Sequence, residues 1–165
     1  MSAPDIRIAT LEDLGAIDAI YNHYVRTATC TWQYEPLPEA ERRAWFDAHG
    51  ERHPLTVALG GDGAVVGWAC LSVYNKRDGY RFTVENTLYV HPDHHRRGIG
   101  RALLADLIER ARALGHRNII AGVSGDQEAS LALHRAHGFV ECGRMKEIGV
   151  KFGKWLDVVY LQKVL

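Results

Sequence analysis

The chain has 165 residues, 47% of them hydrophobic, enough for one compact domain with a real core and too few for a second lobe of comparable size. Twenty basic and twenty acidic residues cancel, so no global field draws the protein to nucleic acid or to an anionic membrane. Three cysteines, Cys30, Cys70 and Cys142, fit no Cys-x-x-Cys spacing, and no segment reaches the roughly 18 apolar residues of a membrane span or the apolar core of a signal peptide, so a cytoplasmic protein without disulfides is expected.

Ile6 to Ile8 reads as a short strand, and Thr10 with Asp13 in the first turn marks a helix start. Leu14, Ile17, Tyr21 and Tyr24 recur at helical spacing and carry that helix to about Arg26. Residues 27–36, with Trp32 and Tyr34, show no period and read as a loop. Pro38 fits the first turn of a second helix ending near Gly50. Leu55 to Leu59, Ala64 to Val73 and Phe82 to Val90 are rich in β-branched and aromatic residues, with Gly60-Gly-Asp-Gly63 as a turn, and predict an antiparallel meander. In the last of these strands, alternation puts Thr83, Glu85, Thr87 and Tyr89 on one face and Val84, Asn86, Leu88 and Val90 on the other. Leu103, Leu104, Leu107, Ile108, Ala111 and Leu114 form the apolar stripe of a long helix stopped by Gly115. Asn118 to Val123 reads as a buried strand, Ala129 to His137 as a shorter helix, and Phe139 to Glu147 and Leu156 to Val164 as the last strands. The order is βααβββαβαββ, an α/β chain forming a single domain over 1–165 with no linker or repeat. Trp45, Trp68 and Trp155 are expected in its core.

The run His91 to Arg101 joins a strand to the long helix through glycines flanked by arginines. Gly98 and Gly100 remove side chains where a ligand must approach the backbone, and the helix start offers unpaired N–H groups and a positive dipole end to an anion such as a pyrophosphate. Arg96, Arg97 and Arg101 add positive charge. On these residues alone a turn with a solvated basic rim competes with that reading. His91, His94 and His95 are close in sequence, but no Cys or carboxylate cluster completes a tetrahedral set, and no metal is expected.

His95-Arg-Arg-Gly-Ile-Gly100 resembles the Gln/Arg-x-x-Gly-x-Gly/Ala motif of the GNAT N-acetyltransferases, with His95 where Gln or Arg is usual. Tyr80 to Val90, Ser130 to Phe139 and Gly149 to Asp157 extend the resemblance over nearly the whole chain, closest to the phosphinothricin/methionine sulfoximine acetyltransferase branch. The element order is that of the family. The resemblance implies the GNAT fold, a mixed and mostly antiparallel sheet splayed at the acetyl-CoA site by a bulge between its fourth and fifth strands. Pyrophosphate would lie on His95, Arg96, Arg97, Gly98, Ile99, Gly100 and Arg101. Pantetheine would run beside Leu88, Tyr89 and Val90, with the Val90 N–H as oxyanion donor. Gln127 and Ser130 fall in the family pattern Asn-x-x-Ser-x-x-Leu-Tyr/His, with Gln127 in place of the Asn that contacts pantetheine and Asp126 as its neighbour.

An attacking amine must shed a proton, and Glu85, in Thr-Val-Glu where the branch carries a catalytic carboxylate, is the expected base; a solvated strand carboxylate is the alternative. His134 takes the family's Tyr/His position near the coenzyme sulfur, either as proton donor to the thiolate or as a satisfied polar residue. The branch resemblance makes Trp32 part of a loop over the acceptor, sets Arg77 and Tyr80 toward the ligand's acidic end, and lets Phe152 line its pocket. It implies a homodimer and no metal. The function implied is acetyl transfer to the α-amine of a small amino acid analogue, phosphinothricin, methionine sulfoximine or methionine sulfone, directly within a ternary complex, since nothing marks a covalent cysteine. A polyamine, aminoglycoside or protein N-terminus as acceptor, or a non-catalytic CoA sensor, remain competing readings.

Overall fold

The computed structural model of the protein describes residues 4–165. Its elements are β1 (Asp5–Ile8), α1 (Leu14–Thr27), α2 (Glu39–Asp47), β2 (Leu55–Leu59), β3 (Val65–Val73), β4 (Thr83–Val90), α3 (Ile99–Ala113), β5 (Asn118–Ser124), α4 (Glu128–Ala136), β6 (Val140–Lys151) and β7 (Lys154–Val164). One seven-stranded sheet runs in the order β1-β2-β3-β4-β5-β7-β6, antiparallel throughout except for the parallel pair β4–β5. This is the expected α/β order. None of the helices among the described residues is long and apolar enough to cross a membrane.

Alternation divides the sheet into two apolar faces. Ala69, Leu71, Val84, Ile119 and Ala121 face the stripe Leu103, Leu104, Leu107, Ile108 and Ala111 of α3, and each buried leucine there contributes about 1.5–3 kcal/mol. Leu55, Val57, Trp68 and Cys70 face Ile17 and Ile20 of α1 on the other side. The single 3-10 turn Leu11–Asp13 that leads into α1 carries the capping chemistry expected at Thr10. Asp13 accepts the Thr10 N–H at 2.7 Å and binds Arg7 through both carboxylate oxygens, and the Arg7 hydrogen bond holds its pKa below the usual carboxylate value.

Three expectations need correction here. The second helix stops at Asp47 rather than near Gly50, because the chain folds into a small bridge between Gly50 and His53. The last hairpin has no long connection: β6 runs to Lys151 and β7 begins at Lys154, joined by Phe152 and Gly153 with φ of 52° and 72°, the positive pair a tight hairpin turn demands. Trp155 therefore stands on a strand face and is 65% exposed, not in the core.

Candidate active site

β4 and β5 pair only from Thr83 to Glu85 on the β4 side and then part, opening a cavity of about 680 Å³, a size typical of small-molecule sites. The expected bulge does not cause the splay, since β4 keeps an unbroken register with β3 from Val84 to Val90. Instead β5 stays with β7 along its whole length, so two twisting antiparallel ladders diverge. His91 donates its N–H to Val66 O at 2.9 Å, and strand alternation then turns the N–H groups of Leu88 and Val90 into the gap.

At one end of the cavity lies the glycine loop. Gly98 has φ 79°, a left-handed turn that suits glycine, and α3 starts at the next residue, leaving its first N–H groups without intrahelical acceptors. A Cβ on Gly100 would meet only ordinary contacts at 3.5 Å or more, so the protein itself has room for a side chain there. His95, Arg96 and Arg101 line this end, while Arg97 is exposed and outside the walls. The Tyr24 hydroxyl donates to Val90 O at 2.5 Å and lies 2.7 Å from His95 Nε2. With its one proton given to a carbonyl, the hydroxyl accepts from His95, whose ring stacks 6.3 Å away at 10°. Burial pushes the Tyr24 pKa up to about 12.

Glu85 sits where the strands part. Burial raises its pKa above the ordinary carboxylate value, and no cation opposes that shift. On the α3 side of β4, His134 is 3% exposed. Its Nδ1 lies 2.8 Å from Ser130 O, which can only accept, so Nδ1 carries the proton and Nε2 accepts from Asn86 Nδ2 at 3.0 Å. Burial lowers the His134 pKa as well. A neutral imidazole whose single N–H is held by a carbonyl has no proton to offer a thiolate, so the expected proton-donor role does not fit this geometry.

Gln127 and Ser130 border the cavity, but the Gln127 amide nitrogen donates to Thr29 Oγ1 at 2.9 Å and to Asp126 Oδ1 at 3.2 Å. Burial would raise the Asp126 pKa, yet hydrogen bonds from Thr29, Ser124 and Gln127 outweigh it and leave it lowered. Of the expected acceptor residues, none lines the cavity. Arg77 and Tyr80 lie on the exposed β3–β4 connection, where Tyr80 packs edge-on against Tyr74 at 5.6 Å. Phe152 is exposed at the tip of the β6–β7 turn, and Trp32 rests against Gly149 of β6. The loop's contribution to the cavity wall is Cys30, whose thiol burial pushes up to about 11, so it stays protonated and unreactive at neutral pH.

A family model described as the Acetyltransferase (GNAT) family matches residues 17–139. The chain belongs to the GNAT acetyltransferase family. It is 42% identical over 98% of its length to an L-methionine sulfoximine/L-methionine sulfone acetyltransferase of Pseudomonas paraeruginosa, spanning 94% of that protein. It is 40% identical to an L-amino acid N-acyltransferase of Escherichia coli, over 95% of this chain and 91% of the relative. Among solved structures it is similar to a GNAT superfamily phosphinothricin acetyltransferase from Sinorhizobium meliloti in complex with AcCoA, with TM-score 0.96 and 41% identity over 99% of this chain and 89% of that one. The protein is an N-acetyltransferase with the GNAT fold.

Tyr24, Asn86 and Cys30 are among the residues lining this GNAT cavity that the sequence did not assign to the site. Tyr24 is hidden in a helical period that reads as core. Asn86 carried a usable signal, a lone amide among Val84, Leu88 and Val90 on an apolar strand face. Cys30 had none, since a loop without a period gives no direction to its side chains.

Proposed function

We propose that the protein transfers the acetyl group of acetyl-CoA to the α-amine of a small amino acid analogue such as phosphinothricin, methionine sulfoximine or methionine sulfone, directly within a ternary complex. The observation that carries this reading is a single cavity with an anion-receptive helix start at one end, a half-buried carboxylate without a cation at the other, and two parted strand edges between them. The names of the relatives supply the acceptor class.

Acetyl-CoA supplies the activated acyl group; the protein's own residues do the rest. The N–H groups at the start of α3, with Arg96, Arg101 and the flanking Arg97, hold pyrophosphate. Leu88 and Val90 offer inward N–H groups to the pantetheine amides, and the Val90 N–H polarises the thioester carbonyl. Glu85 takes the proton that the acceptor's ammonium must lose before the neutral amine attacks, and a raised pKa brings it closer to neutral pH, where a base of this kind works best. His134 orients Asn86 as part of the wall. Gln127 keeps only its carbonyl oxygen for the coenzyme. A protonated Cys30 favours direct transfer over an acyl-cysteine route.

A cytoplasmic homodimer completes the proposal. Tyr34, Phe152 and Trp155 are 57%, 54% and 65% exposed, and together they put more aromatic surface at the last hairpin and the loop on it than a lone monomer tends to show. Sedimentation at micromolar concentration is expected to give twice the 18.5 kDa chain mass; the single mass refutes this part. Thiol release from acetyl-CoA, measured against phosphinothricin, methionine sulfoximine, methionine sulfone, spermidine, an aminoglycoside and a short peptide, tests the function. Release with the first three is expected. Efficient acetylation of spermidine, the aminoglycoside or the peptide alone overturns the acceptor class.

A further inference from the structure

Three successive residues at the end of β6 all direct their contacts to one segment, the loop after α1. Lys151 is 0% exposed, and among the described residues no carboxylate pairs with it. Its ammonium donates to Ala28 O and Thr31 O, each at 2.7 Å, and reaches Tyr24 O at 3.4 Å. An unpaired buried cation is costly unless its three donors are met, and here three main-chain carbonyls meet them. The Tyr24 carbonyl also lies in the last turn of α1, where the helix dipole favours positive charge. Val150 O accepts the Tyr34 hydroxyl at 2.5 Å. Gly149 lies under the Trp32 ring so closely that a Cβ there would stand 2.4 Å from two ring carbons, a separation no side chain can keep. Between these anchors runs Cys30, which walls the cavity that Glu85 also lines and whose carbonyl lies 3.5 Å from the Tyr89 hydroxyl.

We propose that Gly149 and Lys151 are positioning residues for the acceptor: from outside the cavity they set where residues 28–34 stand, and so where Cys30 meets the cavity that Glu85 also lines. This rests on the reading of the Glu85 end as the place of the amine. Neither residue touches a reactant, so their signature is a change in acceptor KM that leaves the coenzyme unaffected. A residue that served stability alone would lower the melting temperature without that split.

The test uses the full-length protein with acetyl-CoA as donor and L-methionine sulfoximine as acceptor. Gly149→Ala is expected to raise acceptor KM by roughly tenfold, with acetyl-CoA affinity within about twofold, because a misplaced wall weakens alignment of the acceptor and not of the donor. In a Trp32→Leu background the same change is expected to add almost nothing, since the ring it displaces is gone. Lys151→Met is expected to give the same KM split where it folds, and Tyr34→Phe a smaller one. Unchanged acceptor KM in Gly149→Ala, or an equal effect in the Trp32→Leu background, overturns the inference and leaves the acetyltransfer reading standing. A wild-type enzyme that acetylates no amino acid analogue overturns that reading and the inference with it.

Discussion

The two ends of the cavity are built in different ways. The end proposed for the coenzyme centres on one contiguous run, from Leu88 to Arg101, and most of its tools are main-chain: inward strand amides, a left-handed glycine and the bare first turn of α3. The end proposed for the acceptor draws on Glu85 of β4, Cys30 after α1, Gly122 of β5 and, behind Cys30, the β6 anchors. A site made from backbone in one stretch tolerates many surrounding sequences, whereas a site made from distant side chains depends on each anchor.

The largest test of this division removes the proposed base. Glu85→Gln is expected to keep acetyl-CoA binding and lose turnover by about 100-fold or more, measured by thiol release. Because the folded-state pKa of Glu85 is raised, its contribution to stability is present at low pH and is lost as pH rises through the folded value. The variant should therefore melt higher than wild type at neutral pH, with the difference vanishing in acid. The wild-type rate should fall on the acid side at a pH above the ordinary carboxylate value, since only ionised Glu85 accepts a proton.

A second test works on the coenzyme end alone. Gly100→Ala should leave the melting temperature of the free protein nearly unchanged, because the new methyl meets only ordinary contacts. It should weaken acetyl-CoA by about tenfold, removing about 1.4 kcal/mol of ligand-induced stabilisation. Gly98→Ala differs: the positive φ makes it unfavourable by about 1–2 kcal/mol before any ligand is added. Differential scanning with and without acetyl-CoA separates the two.

Tyr24→Phe reaches across the division. It deletes the hydroxyl that links Val90 O to His95 and is expected to weaken acetyl-CoA by about fivefold, the scale of one hydrogen bond, with little change in acceptor KM. The smallest effect is expected from Arg77→Ala, whose exposed position outside the cavity predicts an acceptor KM within about twofold of wild type. A much larger rise would show that the β3–β4 connection folds over the acceptor during turnover.

The same division governs what could be read from the residues alone. Helical and strand periods located every element, and the glycine loop announced its anion site, because local conformation follows from local sequence. The splay was expected from a bulge but arises from the divergence of two ladders, a property of the whole sheet that no single strand encodes. Arg77 and Tyr80 carry suitable chemistry, yet only the tertiary path of their connection decides whether that chemistry meets a ligand. The burial of Lys151 follows from three carbonyls contributed more than a hundred positions earlier, which no local pattern around it announces.

The three-residue parallel contact between β4 and β5 also bears on how the molecule breathes. It is the sole strand pairing that joins the ladder β1–β4 to the ladder β5–β7 among the described residues, so the sheet is two rafts moored along a short quay. Opening that mooring requires few hydrogen bonds to break, and sub-global opening of this kind exposes amides well below the free energy of full unfolding. Protection against deuterium at Leu88 and Val90, and along the inner edge of β5, should therefore be weakest in the free protein and rise most steeply when acetyl-CoA bridges the two rafts.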